Sequence, residues 1–115
     1  SEEQKKLLLL RQARARSKAQ SEAMAAIQRK ARLCENADYF SLLGISPGAS
    51  LDEVAAAYAR ERAAIAKKTL SSRSRSAMER ELRQIALVLD EAYAILSDPV
   101  QRACYAPTVK LPQSS

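Results

Sequence analysis

Cys34 and Cys104 are the only thiols in the chain, and it contains no histidine. A Cys-His or Ser-His nucleophilic system needs an imidazole to draw off the proton, and two sulfurs alone cannot enclose a zinc ion. Both classes of site are therefore excluded. The carboxylate pairs Asp52/Glu53 and Asp90/Glu91 are sequence neighbours. Neighbours on a helix point about 100° apart, so neither pair can face one substrate. Two glycines cannot make a Gly-rich phosphate cradle. The cysteines, each among apolar neighbours, read as small packing residues. No enzyme activity, metal or cofactor is expected, and surface charge is the chemistry that remains.

That charge is unevenly placed. The net is +6, with nine Lys/Arg against four acids in residues 1–36 and eight against three in residues 57–84. Two basic surfaces can thus meet an acidic protein face, a nucleic acid or an anionic membrane surface. The candidate partner-binding residues are Arg60, Arg62, Lys67, Lys68, Arg73 and Arg75. The last two lie in Ser71–Ser76, where hydroxyls alternate with arginines. Such spacing also suits a basophilic kinase, although a solvated bend is the reading the residues favour.

The elements that must carry these charges read as helices. Few β-branched runs and almost no glycine argue against a sheet. Asp38 can cap a short helix over Tyr39–Leu43, ended by Gly44 as its left-handed residue. Ser50-Leu51-Asp52-Glu53 has the form of a capping box, and Ser76-Ala77-Met78-Glu79 repeats it. Ser97-Asp98-Pro99 supplies a cap and a proline at the first helical position. Met78, Leu82, Ile85, Leu89, Ala92 and Leu96 form one stripe on a helix over 77–96. Leu51, Val54, Ala55, Tyr58 and Ile65 form another on the helix before it. The two helices are expected to pair antiparallel with Tyr58 and Tyr93 enclosed between them. Glu61 and Arg62 fall near the inward face, where stems can lie on the core with charged tips outside. Leu87 projects from the far side of its helix.

Residues 1–36 contain no Gly or Pro, so a long helix is expected there. Leu10, Ala13, Met24, Ile27, Ala31 and Cys34 follow a heptad-like seam that Ser17 and Gln20 interrupt. This predicts that Met24–Cys34 packs on the helical hairpin while the earlier part projects or pairs with another chain. The broken seam disfavours a stable isolated coiled coil. No apolar run approaches the roughly 20 residues of a membrane span. Leu7–Leu10, followed by Arg11, does not make a signal peptide. The cytoplasm or another reducing compartment is the expected location.

Three stretches carry a family resemblance. DYFSLLGISPGAS at 38–50 resembles the opening of a DnaJ-type J domain, and DEVAAAY at 52–58 its second helix. EAYAILSDPVQRACY at 91–105 is similar to the third helix and the turn into the fourth. The resemblance implies an all-α fold: a J-like antiparallel hairpin with short flanking helices over 37–106, preceded by a helical extension at 1–36 and followed by a flexible tail at 107–115. It fails at the loop after the second helix. J domains carry there the His-Pro-Asp motif that stimulates ATP hydrolysis by a DnaK-type chaperone, whereas Ala66, Lys67 and Lys68 occupy the matching positions here. A Lys in place of the Asp reverses the sign of the contact. The family's basic second helix is thinned by Ala55, Ala56, Ala57 and Ala59. Its core Leu becomes Glu61 and a third-helix Phe becomes Ala86, an under-filled core that Met24 and Ile27 would help complete.

The resemblance thus implies a non-catalytic J-like interaction module, a scaffold or regulator. Its partner would be a J protein, a DnaK-type chaperone met without activation, or a larger assembly that it joins as a structural piece. The alternative is a nucleic-acid-binding module using Arg11, Arg14, Arg16 and Lys18 with Lys67, Lys68, Arg73 and Arg75. It lacks the interleaved aromatics that grip single strands.

Overall fold

The computed structural model describes residues 1–66 and 70–109. Lys67, Lys68 and the tail from residue 110 onward, on which expectations above were placed, lie outside the described residues. The described residues form six helices: α1 (Glu2–Asn36), α2 (Tyr39–Leu43), α3 (Leu51–Ala66), α4 (Ser72–Ala77), α5 (Glu79–Leu96) and α6 (Pro99–Tyr105). A 3-10 turn over Ala106–Thr108 follows, and the described residues contain no strand.

Most helix ends follow from local chemistry. The Asp38 carboxylate accepts from the Ser41 amide at 2.9 Å, and Gly44 closes α2 at φ 69°, where a side chain would be strained. Ser50 and Glu53 form the expected box, the Ser50 hydroxyl accepting from the Glu53 amide at 3.1 Å and Glu53 Oε1 from the Ser50 amide at 3.5 Å. Asp98 caps α6 by accepting from the Val100 amide, with Pro99 opening the helix. The second box is not made. Ser76 lies inside α4, whose cap is Ser71, accepting from the Ser74 amide at 3.1 Å. The predicted 77–96 helix therefore begins two residues later, at Glu79, and the short α4 before it is an additional element. Met78, buried and non-helical, turns the chain between α4 and α5 and leaves α5 without a side-chain cap.

α3 and α5 form the antiparallel pair at the centre. On α5 the predicted stripe is the core face: Met78, Ile85, Leu89, Ala92 and Leu96 are buried and Leu82 packs against them. On α3 the buried residues are Val54 and Ala57. Ala55 and Leu51 are exposed, because the inward face is centred on Val54, Ala57 and Glu61. Tyr58 and Tyr93 stack across the pair with ring centroids 4.5 Å apart. Both rings are half-buried, so the stack seals the rim of the interface instead of lying enclosed within it.

α2 and α6 close the end remote from the bend. Phe40, Leu42 and Leu43 enter the core. The Tyr105 hydroxyl accepts from the Tyr39 amide at 2.9 Å, and its ring stacks on Tyr39 at 4.8 Å. Arg102 lies over the Phe40 ring and donates to the Pro47 carbonyl at 2.7 Å, fastening the turn before α3. The C-terminal half of α1 lies on α5, where Ile27 and Ala31 are buried and Met24 and Cys34 pack against the core. The rest projects: Leu7 to Leu10 are 54–60 % exposed. A helix of 35 residues spans about 52 Å, which explains a long axis of 66 Å against 33 and 24 Å.

Candidate partner-binding surface

The basic residues of α3 are occupied by the fold. Arg60 Nη2 donates to the Leu43 carbonyl at 3.1 Å, placing a cation against the C-terminal carbonyls of α2, where the helix dipole favours it. Arg62 Nε lies 3.9 Å from Asp90 of α5. The same carboxylate accepts from the Tyr58 hydroxyl, so an aromatic, an acid and a cation tie α3 to α5. The bond to Asp90, more than burial, raises the Tyr58 phenol above its ordinary range. Arg75 Nη2 reaches back from α4 to the Ile65 carbonyl at 3.5 Å. Ala66 ends α3, exposed. Of the six predicted cations, Lys67 and Lys68 lie outside the described residues. Arg73 is exposed and holds no ion pair among those described.

Two residues of α1 that sequence reasoning did not assign to the surface decide its shape. Gln20 Oε1 accepts from the Ser71 amide at 2.9 Å, across the gap between α1 and the head of α4. Lys30 Nζ donates to the Leu42 carbonyl at 2.9 Å and lies 3.1 Å from Glu61, with both side chains only 20–21 % exposed. Glu61, polar on an inward face, is thus answered by a cation from another helix. The one available signal for Gln20 was its place on the apolar seam, where a polar residue calls for a partner.

The Gln20–Ser71 bond also brings the two basic blocks together. Lys18 precedes Gln20 by about 3 Å along the helix axis, with Arg16 and Arg14 further toward the N-terminus, all exposed. Arg73 stands two residues past Ser71 on the facing element. Arg16, one turn from Gln20, lies on the face of α1 that meets the bend, while Lys18 and Arg14 point to other faces of the helix.

The remaining chemistry is structural. Burial pushes the Cys34 thiol up, with the Lys30 charge opposing it. This is the environment of an inert packing cysteine. Cys104, expected to pack, is exposed, because α6 lays its other side on Phe40 and Tyr39. At Asp38 burial acts to raise the carboxyl, but the Ser41 amide and hydroxyl outweigh it and hold it below the usual range. Burial and then Glu91 push the Tyr39 phenol up to about 12. Among the described residues no group of His, Cys, Asp or Glu is placed to hold a metal ion. None of their helices is long and apolar enough to cross a membrane. Leu87 stands 64 % exposed on α5, above an Arg83–Glu79 ion pair of 2.7 Å. No protein-family model, curated protein or solved structure matches this chain.

Proposed function

We propose that the chain is a non-catalytic J-like interaction module that binds a protein partner through the basic surface shared by α1 and the bend. The observation that carries this reading is the internal use of the α3 cations: Arg60 is spent on the Leu43 carbonyl and Arg62 on Asp90. A J domain that engages a DnaK-type chaperone keeps such cations free on its second helix and a His-Pro-Asp beyond it. This chain has no histidine, and its α3 charges serve its own fold. Its available cations, Arg14, Arg16, Lys18 and Arg73, lie elsewhere and suit an acidic protein face. The reading is tested by capture from the native source with the whole chain and with an Arg14→Glu/Arg16→Glu/Arg73→Glu variant. A specific protein retained by the first and lost by the second supports it, and retention by both overturns it.

A nucleic-acid-binding module is the second reading, and the Gln20–Ser71 contact favours it by joining the two chain segments that carry the basic blocks. If it holds, captured material is released by nuclease. Affinity for duplex or single-stranded RNA then falls steeply with salt, as phosphate contacts require.

A further inference from the structure

We propose that two copies of the chain associate through antiparallel α1 helices, the projecting leucines of each copy seated in the groove between α1 and α3 of the other. Two features lack a partner among the described residues, and each fits the other. The first is the exposed run Leu7–Leu10. Four successive helical residues fan over about 300°, so a flat surface covers one or two of them and a two-walled groove covers more. The second feature is such a groove. α1 leans on α5, and between it and α3 lies an open space of about 350 Å³ lined by Ala23, Ala26, Ile27, Ala64, Ile65 and Leu70. The Lys30–Glu61 pair stands in the same groove. Its walls are small side chains and its inner residues are branched and apolar, the shape that accepts a leucine-bearing helix at close approach.

The occupant is identified by α1 itself. Leu8, Ala15, Ala19 and Ala26 recur at steps of seven, four and seven, so they share one face; Ala15, Ala19 and Ala26 are exposed on it. A two-fold axis crossing α1 near residue 17 sets Leu8 against the partner's Ala26 and Ala15 against the partner's Ala19. The large residue meets a small one at both ends, and small meets small at the centre. Arg11 then flanks Glu22 of the other copy, and by symmetry this opposite-charge pair forms twice. The leucines reach the groove because Leu8 and Ala26 stand equally far, about 14 Å, from that axis. Arg16 then faces Lys18 of the other copy at the centre, a like-charge pair that weakens the pairing and calls for measurement up to high concentration.

The pairing is tested by sedimentation equilibrium of the whole chain from low-micromolar to near-millimolar concentration. The expected result is a mass approaching twice 12.6 kDa. Leu8→Glu/Leu9→Glu alters only exposed side chains, so its helicity is retained and its mass stays at one copy. Arg11→Glu weakens the dimer about tenfold, the result of losing two exposed ion pairs, and Glu22→Arg in the same chain restores it. With both native cysteines replaced by Ser, Ala15→Cys mixed with Ala19→Cys forms a disulfide between the two, and Ala15→Cys alone does not. Four outcomes overturn the inference: a single-copy mass at every concentration, a leucine variant that still dimerises, Ala15→Cys linking to itself, or a monomer whose leucines serve instead to bind phosphatidylserine vesicles.

Discussion

The Lys30 ammonium joins three helices: carried on α1, it donates to the Leu42 carbonyl of α2 at 2.9 Å and lies 3.1 Å from Glu61 of α3. Removing it strands both acceptors in a site that water reaches poorly, whereas replacing Glu61 leaves Lys30 its carbonyl. Lys30→Met is expected to cost about 2 kcal/mol and Glu61→Leu less than about 1 kcal/mol. Urea unfolding of the two variants and the double variant measures this, and equal costs would mean the carbonyl bond contributes nothing.

The Tyr58–Tyr93 stack joins α3 to α5 at 4.5 Å. Truncating a half-buried ring loses its apolar contact and the stacking together, about 2 kcal/mol for Tyr58→Ala. Tyr58→Phe keeps the stack and loses only the bond to Asp90, so its expected cost is about 1 kcal/mol. Thermal unfolding of both variants orders these effects.

Two residues fix the ends of α2. Asp38→Ala removes the cap on the Ser41 amide and is expected to cost about 1 kcal/mol. Gly44→Ala meets no clash, since its nearest neighbour would be Arg60 Nη2 at 3.9 Å. It must still hold a positive φ, at about 1 kcal/mol. Because the folded Asp38 carboxyl ionises below its unfolded value of 3.8, its contribution is present above that pH and is lost as pH falls below it. The wild type and Asp38→Asn should therefore converge in stability in strong acid, which acid titrations followed by circular dichroism will check.

Tyr39 works at the other end of the pH scale. Its phenol is pushed from 10 up to about 12, so the folded chain favours the protonated form. The associated stability is whole below pH 10 and is lost as pH climbs toward 12. Absorbance titration should find a tyrosine ionising well after free tyrosine, and Tyr39→Phe should abolish that late phase.

What could be read in advance was what local chemistry decides. Asp38, Gly44, Ser50 and Asp98 act on amides or dihedrals within a few residues, and each sits where its type and spacing placed it. The α5 stripe was equally plain, because steps of three and four leave one face. Ser76 misled because Ser71, five positions earlier, starts a short helix of its own and Met78 interrupts the run. Alanines at 55, 56, 57 and 59 blur the phase of α3, so its pattern points to Ala55 where the buried residue is Ala57. The basic surface was half legible. Charge located Arg73, but Gln20 and Lys30 find partners 51 and 12 residues away. No local pattern specifies a hydrogen bond over that distance.

The most direct measurement is steady-state ATP hydrolysis by a DnaK-type chaperone in the presence of peptide, with and without this chain. With no His-Pro-Asp and with Arg60 and Arg62 bonded to the Leu43 carbonyl and to Asp90, the rate should stay at its basal level at saturating chain. A Lys67→Ala/Lys68→Ala variant should behave alike. Stimulation by the wild-type chain that survives that double substitution would contradict the account.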